Sequence, residues 1–148
     1  MQKQHTVFIT LFLFYLFVLL VVSFVGLGFG MNHLRMINYE GVNNNFVPLN
    51  TLSGYVSNID HYNFDTWFYN TFGIVILFMP FGFLLPKVFS NLNTLKNILY
   101  FALVLSMCIE VFQFLTKKGV LDVDDVILNI VGAALGYLIF KVQIKSKF

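Results

Sequence analysis

The amino-acid sequence predicts an all-α membrane protein of four transmembrane helices, with the N- and C-termini both cytoplasmic. Three observations carry that prediction. Of 148 residues, 58% are hydrophobic and 11% charged, and the mean hydropathy is +0.79, a composition in which long apolar runs indicate membrane spans. Four stretches reach or approach the roughly 20 apolar residues that a bilayer-crossing helix needs. The basic residues also divide unevenly between the segments that these stretches separate, which defines an orientation. The length suits a single domain, residues 1–148. A net charge of +2, scattered along the chain, gives no footprint for nucleic acid. The lone Cys108 leaves no disulfide framework.

The first span, residues 7–29, carries no charge. Its apolar core exceeds the roughly 7–15 residues of a secretory signal and no A-x-A-like site follows, so a retained helix is expected. The long connection from Gly30 to Thr66 contains "VPLNTLSGYVSNI", where Leu49, Leu52, Val56 and Ile59 recur at helical spacing behind Pro48. A short amphipathic helix on the outer leaflet fits this stretch, and so does an irregular loop. The second span, 67–85, opens at an interfacial Trp67 and stops before Pro86 and Lys87; Pro80, beside Gly82, is expected to kink it. The third, 98–115, is apolar apart from Glu110. The fourth, 124–140, is the shortest and ends at Lys141.

With four spans the termini share a side. Lys3, Lys87, Lys96, Lys141, Lys145 and Lys147 fall on it, against Arg35, Lys117 and Lys118 on the other. The richer side is cytoplasmic by the positive-inside rule. Glu40, Asp60, Asp65, Asp122, Asp124 and Asp125 all fall in outer segments or at the outer mouth of the fourth span.

The stretch "SMCIEVFQFLTKKGVLDVDDVILNIVG" (Ser106–Gly132) holds the polar residues that such a chain has to account for. A carboxylate within a bilayer costs at least a few kcal/mol, so Glu110 is a functional candidate by default. It is seven residues before Lys117, and Asn129 is seven past Asp122. At ~1.5 Å per residue both lie roughly 10 Å inward, on helices that should run antiparallel. Ser106, Glu110 and Gln113 share one face; Asp125, Asn129, Gly132 and Gly136 form one stripe. Adding Asn70 from the second span gives a polar pocket of Asn70, Ser106, Glu110, Gln113, Asp122, Asp125 and Asn129, opening outward. The Gly132/Gly136 pair allows close helix approach, within one chain or between copies.

Blander roles compete for most of these residues. Asp122 or Asp124 suits the cap of the fourth helix. Asn129 and Gln113 suit interhelical hydrogen bonds of about 0.6–2 kcal/mol. Glu110 is either protonated or faces a hydrated site, a cation or a cationic ligand group. His5, His33 and His61 lack metal-ligand spacing, no nucleophile stands beside a base, and no metal is assigned.

Taken in order, Asn70, Pro80 and Gly82, then Ser106, Glu110 and Gln113, then Asp122, Asp125, Asn129, Gly132 and Gly136 resemble the pattern of the VanZ-like family. Upstream, "NFVPLNTLSGY" is similar to that family's Asn-x-x-Pro-Phe-x-Thr segment, with Leu49 in place of the aromatic. The chain departs at "KKGVLD", where Lys117 and Lys118 stand near an arginine of many members and lack its bidentate fork. The resemblance implies a bacterial, multi-pass cytoplasmic-membrane protein linked to glycopeptide (teicoplanin) or lipoglycopeptide resistance. Two mechanisms are expected to compete. One is binding of a cell-envelope lipid or glycopeptide-related ligand in the outward pocket, with a divalent cation at Glu110 and Asp125 as one form. The other is a membrane-embedded hydrolase or transferase on lipid-linked envelope substrate, with Glu110 and Asp125 as its acid/base pair.

Overall fold

Long apolar runs that cannot leave a backbone amide unsatisfied in lipid fold as helices, and the chain obeys that rule. The computed structural model describes residues 2–25, 44–57 and 64–146. Residues 26–29 of the first span, Arg35, Glu40, the Ile59 end of the amphipathic stripe, Asp60 and Lys147 lie outside the described residues. Helix α1 is Gln2–Val25, α2 Asn50–Ser57 and α3 Phe64–Phe68, which a π turn at Tyr69–Gly73 joins to α4, Ile74–Val88. Then come α5, Leu95–Leu115, and α6, Val123–Lys145. Among the described residues there is no strand, only an isolated bridge between Asn45 and Asp122.

Among the described residues, four helical segments are long and apolar enough to cross a membrane: Lys3–Phe24, Tyr69–Val88, Leu95–Leu115 and Val123–Lys145. The outermost helices run past the apolar limits. α1 starts near the N-terminus and α6 continues beyond Phe140 to Lys145, because a helix that has left the apolar layer can go on satisfying its own amides. In the second span the helix is continuous through both Pro80 and Pro86. A π turn at Tyr69–Gly73 precedes it.

Two parallel helices, α4 and α6, form the closest pair, and small residues explain it. A methyl group added at Gly82 would overlap the carbonyl of Ala133, one at Gly136 that of Met79, and one at Gly132 that of Val75. The Gly132/Gly136 stripe is thus filled by the chain's own α4, and its use between copies would require these two helices to part. α1 lays Phe12, Tyr15, Leu19 and Val22 into the core, at a spacing that keeps one face inward. Its Phe14 and Phe17 stay exposed on the other face. Tyr15 Oη donates to the Leu77 carbonyl at 2.9 Å, tying α1 to α4.

α5 ends in a Schellman turn. The Lys118 amide donates to Gln113 O and the Lys117 amide to Phe114 O, with Lys117 in the left-handed region at φ 55°. Four residues later the chain re-enters as α6, antiparallel to α5. The connection's amphipathic stripe does form a helix, α2, but a turn shifts it. Leu49 takes φ 65°, the helix begins at Asn50, and the residue that turns inward is Tyr55, outside the expected stripe, while Leu49 and Val56 stay exposed.

Candidate functional site

The start of α6 is where the polar residues meet. Asp122 is its N-cap: Oδ1 accepts the Asp124 amide at 2.9 Å, satisfying one of the four N–H groups a helix start leaves open. The same carboxylate reaches into the connection. Asn45 Nδ2 donates to its Oδ1 at 2.8 Å and Thr51 Oγ1 to its Oδ2 at 2.7 Å, while Asn45 Nδ2 also donates to Thr51 Oγ1 at 3.0 Å. Main-chain bonds reinforce the clamp. Asn45 N donates to Leu121 O at 2.8 Å, Val123 N to Asn45 O at 3.1 Å, and Leu121 N to Asn44 Oδ1 at 3.0 Å.

Asp124 is 1% exposed and performs the second capping job of the site. Its two oxygens accept the amides of Leu49 and Leu52 at the start of α2. Of the two aspartates considered for capping α6, Asp122 therefore caps it and Asp124 caps α2 across the gap. Segment 44–57 sits on the bundle end because two side chains of α6 accept the hydrogen bonds that its turn and helix start offer.

Glu110 lies beneath this cap, 3% exposed, and its Oε2 accepts the Asp122 amide at 3.2 Å. Counting from the helix ends matched Glu110 with Asn129. The structure instead joins Asn129 Nδ2 to Ser106 Oγ at 2.7 Å, both residues buried. The shift has a geometric cause: the amide at the start of α6 meets a side chain well below the end of α5, so α6 begins recessed into the bundle. One turn toward the cap from Ser106 and Asn129, the same helix faces carry Glu110 and the half-buried Asp125.

Two expected pocket residues point elsewhere. Gln113 Nε2 donates to the Ser23 carbonyl of α1 at 2.7 Å, which places it in the α1–α5 seam. Asn70, in the π turn, donates to Tyr55 Oη at 3.1 Å and so holds the far side of α2. Both act as interhelical ties to the rim of the cluster. Thr71 Oγ1, in the same π turn, is buried without a hydrogen-bond partner. Among the described residues no group of three or more His, Cys, Asp or Glu side chains is arranged to hold a metal ion. The oxygens of Asp122 and Asp124 are directed at N–H and O–H donors.

A family model described as VanZ/LLP1 matches residues 12–144, nearly the whole chain. The chain belongs to the VanZ/LLP1 family. Protein VanZ of Enterococcus faecium is 33% identical over 109 residues, 74% of this chain. The matched region spans 59% of that relative's length. No solved structure matches.

The VanZ-like pattern read from the sequence now has a geometry. Asn45 and Thr51 of the Asn-x-x-Pro segment meet Asp122. Asp122 in turn meets Glu110, and Ser106 meets Asn129. Pro80 and Gly82 belong to the helix that fits against Gly132 and Gly136. Asn45, Thr51 and Asp124 were not among the residues singled out for the pocket. An Asn and a Thr flanking a Pro turn are ordinary loop residues by composition. Their partners are over seventy positions away, out of reach of any local spacing rule.

Proposed function

We propose that this VanZ-family protein contributes to glycopeptide or lipoglycopeptide resistance by binding a cell-envelope component at the capped end of the bundle. That end faces outward in this reading, because the lysine-rich ends of α1, α4 and α6 belong on the cytoplasmic side. Glycopeptides act outside the cytoplasmic membrane, so an outward site can change how they reach their target. The observation that carries the proposal is the burial of Glu110 directly under a cap that two other carboxylates hold in place. Glu110, Asp122 and Asp124 gather around one helix start beneath segment 44–57, and a buried acid in so apolar a molecule is a functional candidate by default. Glu110 and Asp125 are the side chains that receive the cationic part of the ligand. Asp122 and Asp124 hold the cap, and Asn70, Gln113 and the Ser106–Asn129 pair fix the surrounding helices.

The acid/base alternative draws less support. Ser106, the hydroxyl nearest Glu110 on its face, is bonded to Asn129, and Cys108 is exposed away from the cluster.

The test is teicoplanin susceptibility of a sensitive bacterium expressing the wild-type chain or Glu110→Gln at matched membrane levels. Protection by the wild type and its loss in the variant is the expected result. Equal protection by both would remove Glu110 from the function, and protection by neither would show that the resistance role does not extend to this chain.

A further inference from the structure

The opposite end of the bundle carries a cleft that the capped site does not use. Phe8, Lys87, Phe140, Gln143 and Ile144 line it, between the first turns of α1 and the last turns of α4 and α6, around a volume of about 220 Å³. Phe8, Phe140 and Ile144 give it aromatic and aliphatic walls, and its two polar side chains are paired, Lys87 Nζ donating to Gln143 Oε1. The ammonium stands 4.7 Å from the centroid of the Phe8 ring and 3.9 Å from that of Phe83. Cation–π contacts of this kind hold a side chain that would otherwise swing freely in the interface.

A helix-end lysine needs no ligand to justify it. Lys87 is in the last turn of α4, where the carbonyl end of the helix favours a cation. The dipole does not account for the apolar cleft beside it or for the Gln143 amide paired with it. The surrounding charge adds a direction. Lys3, Lys96, Lys141 and Lys145 belong to the same end, whereas Glu110, Asp122, Asp124 and Asp125 all lie toward the other. Any ligand of this cleft therefore meets a positive field above an apolar floor.

We propose that the cleft binds the headgroup of an anionic phospholipid, with the phosphate on Lys87 Nζ and the Gln143 amide and an acyl chain along Phe8, Phe140 and Ile144. The chemistry selects this occupant. A small soluble anion gains nothing from the aromatic wall, and an uncharged lipid gains little from the lysines. Basic pockets between helices at the lysine-rich membrane face are suited to such headgroups. The assignment is independent of what the capped end binds.

Native mass spectrometry of the detergent-purified chain, titrated with phosphatidylglycerol, phosphatidylcholine or inorganic phosphate, tests it. Phosphatidylglycerol should be retained in preference to phosphatidylcholine. Lys87→Gln should lower its occupancy about fivefold, the weight of one lysine near a charged interface, and Gln143→Leu should lower it in the same direction with α4 untouched. Lys96→Gln, at the same end but outside the cleft, should leave it unchanged. Equal losses in the Lys87 and Lys96 variants would reduce the effect to general attraction and overturn the site. Equal retention of the two lipids would do so as well, and displacement of phosphatidylglycerol by inorganic phosphate alone would overturn the lipid as occupant.

Discussion

Asp124→Asn separates a carboxylate that holds the cap from one that only decorates a helix start. Its two oxygens accept the Leu49 and Leu52 amides of segment 44–57, and at 1% exposure no water competes for them. Asparagine keeps the shape and one acceptor, but its NH₂ group turns a donor toward the second amide. Hydrogen bonds to a charged group contribute about 1.5–3 kcal/mol, and stranding a buried amide costs about 1–3 kcal/mol. These overlap rather than add, so the variant should weaken the cap by about 2–4 kcal/mol.

That weakening converts to a cap-opening equilibrium about 30- to 1000-fold larger. Hydrogen–deuterium exchange of the chain in detergent reads it directly, in peptides covering residues 45–57. Exchange there should accelerate by at least the lower figure while peptides from α5 keep wild-type rates, because the core packing of α5 does not depend on Asp124. Asp125→Asn, one position along and a third of a turn away, should leave the Leu49 and Leu52 amides protected. Exchange within about threefold of wild type for Asp124→Asn would refute the capping role, as that is well below the expected factor.

Helix packing gives a second comparison. Gly136→Ala pushes a methyl into the Met79 carbonyl and should lower thermal stability by about 1–3 kcal/mol or more, whereas Gly54→Ala, with nothing within 4 Å of the new atom, should be neutral or stabilising by up to about 1 kcal/mol. Ser106→Ala should strand the Asn129 amide and cost about 1–3 kcal/mol. Ser106→Ala with Asn129→Leu should cost less than the sum of the single changes, a coupling measurable by unfolding in detergent. Lys117→Gly should raise the melting temperature slightly, since a lysine at φ 55° occupies the position where glycine is least strained.

The four spans were legible because each is a run whose composition alone exceeds what a soluble helix tolerates, and Gly132 and Gly136 because a GxxxG spacing has few other uses. Glu110 stood out for the same reason, as a charge in the wrong solvent. The partners were not legible. Depth counted from Lys117 and Asp122 assumes that consecutive helices begin and end level, and α6 begins recessed, which moves the partner of Asn129 from Glu110 to Ser106, about a turn. Side chains such as Gln113 and Asn70 looked alike from sequence, yet one bonds α1 and the other α2, since a polar residue on a helix shows its angle but not its neighbour. Asn45 and Thr51 were hidden because a loop's partner is set by the tertiary fold.

The cluster also answers how so apolar a chain tolerates several acids at one point. Each of three carboxylates accepts a main-chain N–H at a helix start: Glu110 that of Asp122, Asp122 that of Asp124, and Asp124 those of Leu49 and Leu52. Two helix N-termini, of α6 and α2, converge on them, and the positive ends of the helix dipoles supply part of what a basic side chain would otherwise supply. On this account the lysines at "KKGVLD" need not copy an arginine's grip, because the amides hold the acids already. It also sharpens the meaning of Glu110→Gln. Glutamine still offers Asp122 an oxygen acceptor, so the cap should survive and the exchange of residues 45–57 should stay near wild type. A variant that keeps its cap and loses protection against teicoplanin has lost the ionisable group itself, and a variant that loses both has lost the architecture.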